Sequence, residues 1–198
     1  DRLYAANRTN NALGKDAAYF ITARHNDHLN FRLGSTFDYS ITKNLKWRVG
    51  VQLGTNKGMH YQTIDDMMGA KYLSNVNNYA IGTYLPGSDE TYYNLYDKLY
   101  TSPHRLTEGD CFAYDYSITV RDAKAWTSIS WDKGIGHYFA SAKIGGTDMW
   151  RVGYMNNGIC RNYVDENGHE VKFSYGKSKK ANFLDGGAKL GATFNLSK

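Results

Sequence analysis

The alternation of apolar and polar residues from Leu29 to Leu53 is the feature that most constrains the fold. Apolar side chains occupy every second position on both sides of a short connection, Thr42 to Asn44. They are Leu29, Phe31, Leu33, Phe37, Tyr39 and Ile41 before it, and Leu45, Trp47, Val49, Val51 and Leu53 after it. Successive strand residues point to opposite faces, so this pattern predicts an antiparallel hairpin with one apolar and one polar face.

The same alternation recurs further along the chain and predicts an all-β, antiparallel up-and-down meander. The predicted strands lie near 28–41, 45–55, 112–132, 137–150 and 182–197, and the predicted external loops are 1–27, 56–111 and 151–181. Within the second loop, Thr63 to Asp66 resembles a capping box and predicts a short helix through Tyr72. A content of 17 Tyr and 20 Gly agrees with a β-architecture.

The predicted short and long connections lie at opposite ends of the strands. Because antiparallel strands alternate in direction, the short turns 42–44 and 133–136 lie on one side and the long loops on the other. Outer-membrane barrels have this arrangement, and the predicted strands exceed the ~9–11 residues that cross a bilayer. Tyr39, Trp47, Trp131 and Tyr138 flank the short turns, where the aromatic residues of a membrane interface would lie.

Composition and motifs exclude several classes of function. The net charge is +5 and the pI is about 9.0, but the basic residues are scattered among acidic ones, so no nucleic-acid partner is predicted. No nucleophile elbow, P-loop or zinc-protease motif is present, so the chain is not expected to be an enzyme or to hold a cofactor. The titratable cluster from Arg24 to His28 favours polar packing at the beginning of a strand over a metal site, because no second segment contributes ligands.

Two further groups of residues are candidates for a role. Cys111 and Cys160 lack zinc-like spacing; they form one disulfide in an oxidising compartment or are two unrelated thiols. A second group consists of aromatic residues that can stack against sugars or other planar ligands, or can instead pack a long loop against its own barrel. This aromatic group comprises Tyr92, Tyr93, Tyr96, Tyr100 and Trp150.

With these segments placed, the chain resembles the C-terminal barrel region of TonB-dependent outer-membrane receptors. The resemblance is carried by the order and spacing of several short motifs along nearly the whole chain. They are Arg24-His-Asn-Asp27, Asp65-Asp-Met-Met-Gly69, Gly109-Asp110 with Phe112 and Tyr114-Asp-Tyr116, Trp150-Arg-Val-Gly153 with Asn157-Gly158, Ser174-Tyr-Gly-Lys-Ser178, Asn182-Phe183, and Lys189-Leu-Gly191 with Thr193. Cys111 and Ala113 depart from the family pattern, in which we expect a polar or basic residue and a Gly.

The resemblance implies a transmembrane β-barrel of the 22-stranded type, filled by an N-terminal plug and located in the outer membrane of a Gram-negative bacterium. It implies import of a scarce nutrient with energy relayed by TonB. The implied partners are outer-membrane lipid and lipopolysaccharide, the rest of the barrel, the plug, TonB, and a small-molecule, glycan or peptide ligand. This chain would supply about five strands and no plug domain, and Cys111 and Cys160 would both lie on the external side.

The alternative is a soluble or surface-attached β-sandwich that binds glycans. The two interpretations differ in what covers the apolar face of the strands. In a sandwich, a second layer of the same chain covers residues such as Phe31, Trp47, Val49 and Leu190. In a membrane barrel, lipid covers them.

Overall fold

The computed structural model describes residues 1–75, 105–155, 163–164, 170–171 and 174–196. The described part consists mostly of antiparallel strands, with one helix. The helix is α1 (Arg2–Ala12), and the strands are β1 (Ile21–Thr42), β2 (Leu45–Asp66), β3 (Leu73–Ser74), β4 (Arg105–Leu106), β5 (Cys111–Lys133), β6 (Gly136–Gly153), β7 (Tyr163–Val164), β8 (Glu170–Val171), β9 (Gly176–Lys177) and β10 (Ala181–Phe194). No helix among these residues has the length and apolar character needed to cross a membrane.

The five long strands form one meander-like antiparallel sheet, as predicted. Their order is β1-β2-β5-β6-β10, and the short strand β9 also pairs with β6. The predicted tight turns are present between β1 and β2 and between β5 and β6, where Gly134 adopts a φ of 61°. In this order β1 and β10 are the two edges of the described sheet.

β1, β2, β5 and β6 are longer than predicted, whereas β10 ends at Phe194, before its predicted end at 197. β1 and β2 are longer because polar side chains beyond the apolar alternation find partners on the neighbouring strand. β1 begins at Ile21 and β2 continues to Asp66. In this extension His25 stacks on Tyr61 with ring centroids 4.4 Å apart, and its Nε2 lies 3.0 Å from Thr63 Oγ1. The loops predicted at 1–27 and 56–111 are therefore partly strand.

The prediction of a helix from Thr63 to Tyr72 is wrong. Ile64 donates its backbone N–H to the carbonyl of Asp110 and is fully buried, so this segment pairs with its neighbour. The chain turns only after Asp66, through Met68 and Gly69, both with positive φ. Tertiary pairing and burial outweigh the local capping signal here.

The segment 1–27, predicted as a loop, begins with a helix of 11 residues. α1 ends near Ala12, and Asn7 lies at its only described buried position. The Asn7 amide donates to the carbonyls of Tyr19, Met67 and Met68, while its oxygen accepts from the N–H groups of Ala18 and Tyr19. One buried amide therefore connects α1 to two distant segments of the chain.

The chain divides into two compact units. Unit 1 comprises Asp1–His28, Gly58–Ile118 and Arg151–Ser178, and unit 2 comprises Leu29–Lys57, Thr119–Trp150 and Lys179–Lys198. The described apolar core of unit 1 is small. Its main cluster consists of Ile64, Met67, Leu73 and Leu106, with Ala17, Phe20, Ala70 and Phe112 packed against it. Met155 is also fully buried.

Unit 2 is built differently, since most of its large apolar side chains are exposed. Leu184 and Leu190 are 81% and 83% exposed, and Phe31 is 61% exposed. The register places Leu184 opposite Gly146 and Leu190 opposite Ala140, so β6 and β10 share one apolar face. Ring contacts between Phe37 and Trp47 and between Trp131 and Tyr138 show the same for β1 with β2 and for β5 with β6. We call this set of exposed side chains the apolar row. Its large members are Leu29, Phe31, Leu33, Phe37, Tyr39, Ile41, Trp47, Val51, Leu53, Ile129, Trp131, Tyr138, Ile144, Leu184, Leu190 and Phe194.

Two local features complete the described fold. Within the predicted loop 151–181, Tyr163 pairs with Val171 and Val164 pairs with Glu170. Ala113, which occupies a position where the resemblance implies Gly, has a φ of 66°. That is a left-handed conformation that Gly adopts without strain and other residues adopt at a cost.

Candidate functional site

Two histidines converge over a glycine in unit 1. The rings of His28 on β1 and His60 on β2 meet edge to face with centroids 6.0 Å apart. A Cβ added to Gly58 would lie 3.0 Å from His60 Nε2 and 3.3 Å from His28 Cε1. The absence of a side chain at Gly58 therefore lets both imidazoles lie close to the strand backbone.

β5 and β6 contribute the neighbouring side chains of this arrangement. His60 stacks on Tyr116 with ring centroids 5.0 Å apart, and the Arg151 guanidinium carbon lies 4.8 Å from the centre of the Tyr116 ring. Tyr114 flanks Tyr116 at 6.2 Å. We call His28, His60, Tyr116 and Arg151 the His–Tyr–Arg ladder.

Arg151 is held firmly at the end of the ladder. Its Nη1 donates to the Ser174 carbonyl at 2.6 Å, and its backbone N–H donates to Ser178 Oγ at 2.9 Å. Burial lowers the pKa of Arg151. Because an ordinary Arg pKa lies far above neutrality, the guanidinium remains a cation, half-buried against the phenol.

The ladder has the chemical groups of a binding surface. A guanidinium on a phenol face, beside two imidazoles, offers cationic donors together with flat faces for stacking. Within the described ranges, no group of three or more His, Cys, Asp or Glu side chains is arranged to hold a metal ion. The guanidinium, phenol and imidazole groups of the ladder suit a polar, planar or anionic ligand, which they can contact by hydrogen bonds and stacking.

A second polar set uses the alternate positions of β1 and β2 and so lies on the opposite face of these strands. The Tyr61 hydroxyl donates to Asp27 Oδ2 at 3.0 Å, and this hydrogen bond, with burial and nearby acidic groups, raises the pKa of Tyr61. Burial also raises the pKa of the Cys111 thiol and of the Asp115 carboxyl, which lie next to each other. The Arg24–His28 cluster is thus divided, with His25 and Asp27 on one face and His28 on the other.

Of the predicted ligand-contacting aromatic residues, the structure describes only Trp150. Tyr92, Tyr93, Tyr96, Tyr100 and Cys160 lie outside the described residues, so the aromatic loop site and the Cys111–Cys160 pairing stay predictions. Trp150 belongs to unit 2, where the Arg121 guanidinium carbon lies 4.9 Å and the Lys180 ammonium 5.4 Å from its ring centre.

The aromatic residues predicted for a membrane interface do lie beside the two tight turns in unit 2. Tyr39, Trp47, Trp131 and Tyr138 are each more than a third exposed. Trp131 contacts Tyr138 with ring centroids 6.1 Å apart, and Trp47 Nε1 donates to Thr127 Oγ1 at 2.8 Å. Each indole or phenol thus combines an exposed apolar ring with a polar atom.

His60, Tyr116 and Arg151 were not predicted from the sequence as site residues. They come from three strands that are far apart in the sequence, and they meet only through the β2–β5 and β5–β6 pairings. A usable signal would have been the placement of polar and aromatic residues at alternate positions near the loop-proximal ends of successive strands.

Comparison of the chain with protein-family models, with curated proteins and with solved structures found no match in any of the three.

Proposed function

We propose that this chain is a wall-and-loop segment of a TonB-dependent outer-membrane transporter that imports a scarce nutrient. In this proposal the strands of unit 2 cross the bilayer and unit 1 carries the external connections. The protein partners are the other strands of a 22-stranded barrel, the plug and TonB, and outer-membrane lipid surrounds the barrel. The chain contributes a wall and a ligand surface, without catalysis.

The exposed apolar row is the observation that supports this proposal most directly. More than ten large apolar side chains on one face of unit 2 are each over a third exposed. A face of that size exceeds the few hundred Å² that monomeric soluble proteins leave in water. The described residues provide no second layer over Phe31, Trp47 or Leu190, as a sandwich would require, whereas lipid would cover all three.

The opposite face of the same strands is polar, as the interior of a transport barrel is. Arg32 and Lys124 both approach Asp122, at 3.8 and 3.9 Å, and Lys143 approaches Asp185 at 3.8 Å. A barrel in lipid with a water-filled or plug-filled lumen needs apolar side chains on its outer face and polar side chains on its inner face. Alternation within each strand provides both faces.

Strand length and the open edges fit the same proposal. β1 contributes 14 residues to unit 2, from Leu29 to Thr42, more than the ~9–11 that a tilted strand needs to cross a bilayer. Because β1 and β10 are edges of the described sheet, their outer hydrogen-bonding groups need further strands, since hydrocarbon cannot satisfy them. The remainder of the barrel would supply those strands.

In the proposed transporter, the His–Tyr–Arg ladder is the ligand surface of this segment. Its groups suit a ligand with planar and acidic parts, and they lie on strands that lead into the long external connections. Siderophores, glycans, peptides and cobalamin remain the substrate classes consistent with the family proposal.

Quenching by lipids with brominated acyl chains tests the membrane assignment. Three single-tryptophan variants of the full chain, retaining Trp47, Trp131 or Trp126, are reconstituted in bilayers with and without brominated chains. Trp47 and Trp131 belong to the apolar row and should be strongly quenched. Trp126 packs over Gly50 on the opposite, polar face of the sheet. It serves as the matched control, and we expect little quenching of it. Equal quenching of all three tryptophans, or stronger quenching of Trp126 than of Trp47 and Trp131, would rule out this orientation in lipid.

A further inference from the structure

Two cations share one carboxylate and one indole ring in unit 2. Arg121 Nε and Nη2 donate to the two carboxylate oxygens of Asp148 at 3.0 and 2.8 Å, and Lys180 Nζ lies 3.4 Å from Asp148 Oδ2. Both cations also lie over the ring of Trp150. We call Arg121, Asp148, Trp150 and Lys180 the Trp150 cluster.

The cluster follows the last members of the apolar row on the same face. Asp148 and Trp150 continue the alternate positions of β6 that carry Ile144 and Gly146. The register places Asn182 opposite Asp148 and Leu184 opposite Gly146. The outward face of these strands therefore changes from apolar to cationic within about one pair of residues.

The cluster exposes its positive charge and covers its negative charge. The side chains of Arg121 and Lys180 are 50% and 39% exposed, whereas that of Asp148 is 24% exposed. Two cations against one carboxylate leave one net positive charge. Arg121 also retains N–H donors that Asp148 does not use, since a guanidinium has five. The exposed surface can thus accept an anion with several oxygens.

An open groove of about 500 Å³ adjoins these charges. Leu53, Ala123, Gly146 and Phe183 line it, together with Arg121, Asp148 and Asn182. Ala123 and Gly146 leave room there because they have almost no side chain. A groove of that size fits a sugar ring or part of an acyl chain.

We propose that the Trp150 cluster and this groove bind the phosphorylated, acylated sugar head of an outer-leaflet glycolipid, the lipid A part of lipopolysaccharide. Arg121 and Lys180 contact a phosphate, the first by paired N–H donors and the second as a point charge. The groove holds the adjoining sugar and the start of an acyl chain. The inference rests on the proposed function, because only a membrane-spanning unit 2 brings this face to lipid.

The test is a titration of the full chain, in neutral-detergent micelles, with bisphosphorylated lipid A. Each basic residue near an anionic lipid surface raises the affinity about fivefold, so the R121Q/K180Q double variant should bind lipid A about 30-fold more weakly. R32Q/K143Q is the matched control: it also removes one Arg and one Lys, each near a carboxylate but at the alternate positions, and should change the Kd less than twofold. D148N should bind about fivefold more tightly, because it removes the carboxylate that competes with phosphate.

The sign of the D148N effect separates a lipid site from a purely structural ion pair. Weaker binding by D148N, an equal loss in R32Q/K143Q, or undiminished binding of dephosphorylated lipid A would each overturn the inference. Loss of binding in the presence of a tenfold excess of inorganic phosphate would assign the cluster to free phosphate and overturn it as well. If the tryptophan quenching experiment succeeds and R121Q/K180Q binds lipid A normally, this inference alone fails. If quenching fails, the proposed function fails first.

Discussion

Replacing Asn7 by Ala should release the N-terminal segment from the rest of unit 1. Asn7 is fully buried, and its side-chain oxygen accepts from the N–H groups of Ala18 and Tyr19 at 2.8 and 3.1 Å. Ala at this position leaves both donors without that acceptor. Together with the bonds that the Asn7 amide donates to Tyr19, Met67 and Met68, the substitution removes five buried or partly buried hydrogen bonds. At about 0.5–1.5 kcal/mol for each bond, we expect a local loss of about 4 kcal/mol.

Asn11 provides a matched control on the same helix. Its amide donates to the Gly69 carbonyl at 2.8 Å and accepts from the Lys71 N–H at 2.9 Å, and both bonds are exposed. Water replaces exposed partners, so Asn11→Ala should cost only about 1 kcal/mol. The two variants remove the same functional group and differ mainly in its burial.

Amide hydrogen exchange at Ala17 measures the difference. The Ala17 N–H bonds to the Tyr72 carbonyl at 3.0 Å, and neither substitution removes that acceptor. If opening of the segment governs exchange, protection at Ala17 should fall by about 10²–10³ in Asn7→Ala and about fivefold in Asn11→Ala. Equal protection in the two variants would refute the argument that burial of Asn7 anchors the segment.

Two further predictions concern β5. Ala113→Gly should stabilise the fold by about 0.5–1 kcal/mol in urea titration, because it removes left-handed strain, whereas Ala125→Gly, at an ordinary strand position, should destabilise it by a similar amount. Burial raises the pKa of Asp115 in the folded chain, so this group favours folding at pH values below its unfolded pKa and loses that contribution as the pH rises through its folded pKa. Asp115→Asn should therefore raise the urea midpoint more at pH 7 than at pH 4; an equal shift at both would contradict this sign.

The sequence predicted the strands of the sheet wherever one face is apolar. The alternation from Leu29 to Leu53 identified the β1–β2 hairpin and its apolar face, because burial or lipid contact on one side imposes a period of two. The same rule misplaced the beginning of β1 and the end of β2. There, both faces carry polar residues such as His25 and Tyr61, whose contacts exist only once the strands are paired.

The candidate site was harder to predict, because it depends on register across strands. Tyr92 and its neighbours form a local cluster of aromatic residues in the sequence and were therefore predicted as a site, whereas His60 and Arg151 are isolated in the sequence. The ladder forms because pairing of β2 with β5 and of β5 with β6 brings single residues from each strand together. Trp150 shows the converse: it was identified as a stacking residue, but its ring already contacts the cations of Arg121 and Lys180.

Glycines inside the strands explain how bulky residues fit on the polar face of unit 2. Glycine in a strand interior normally weakens it. Here a Cβ at Gly50 would collide with the Trp126 ring, and one at Gly54 would collide with the Asp122 carboxylate, whose side chain is 10% exposed. Each glycine thus lets a larger neighbour on β5 lie flat against the sheet. In the proposed transporter this arrangement would keep the polar side of the wall clear for a plug or a passing ligand, because large side chains cover the strands without projecting from them.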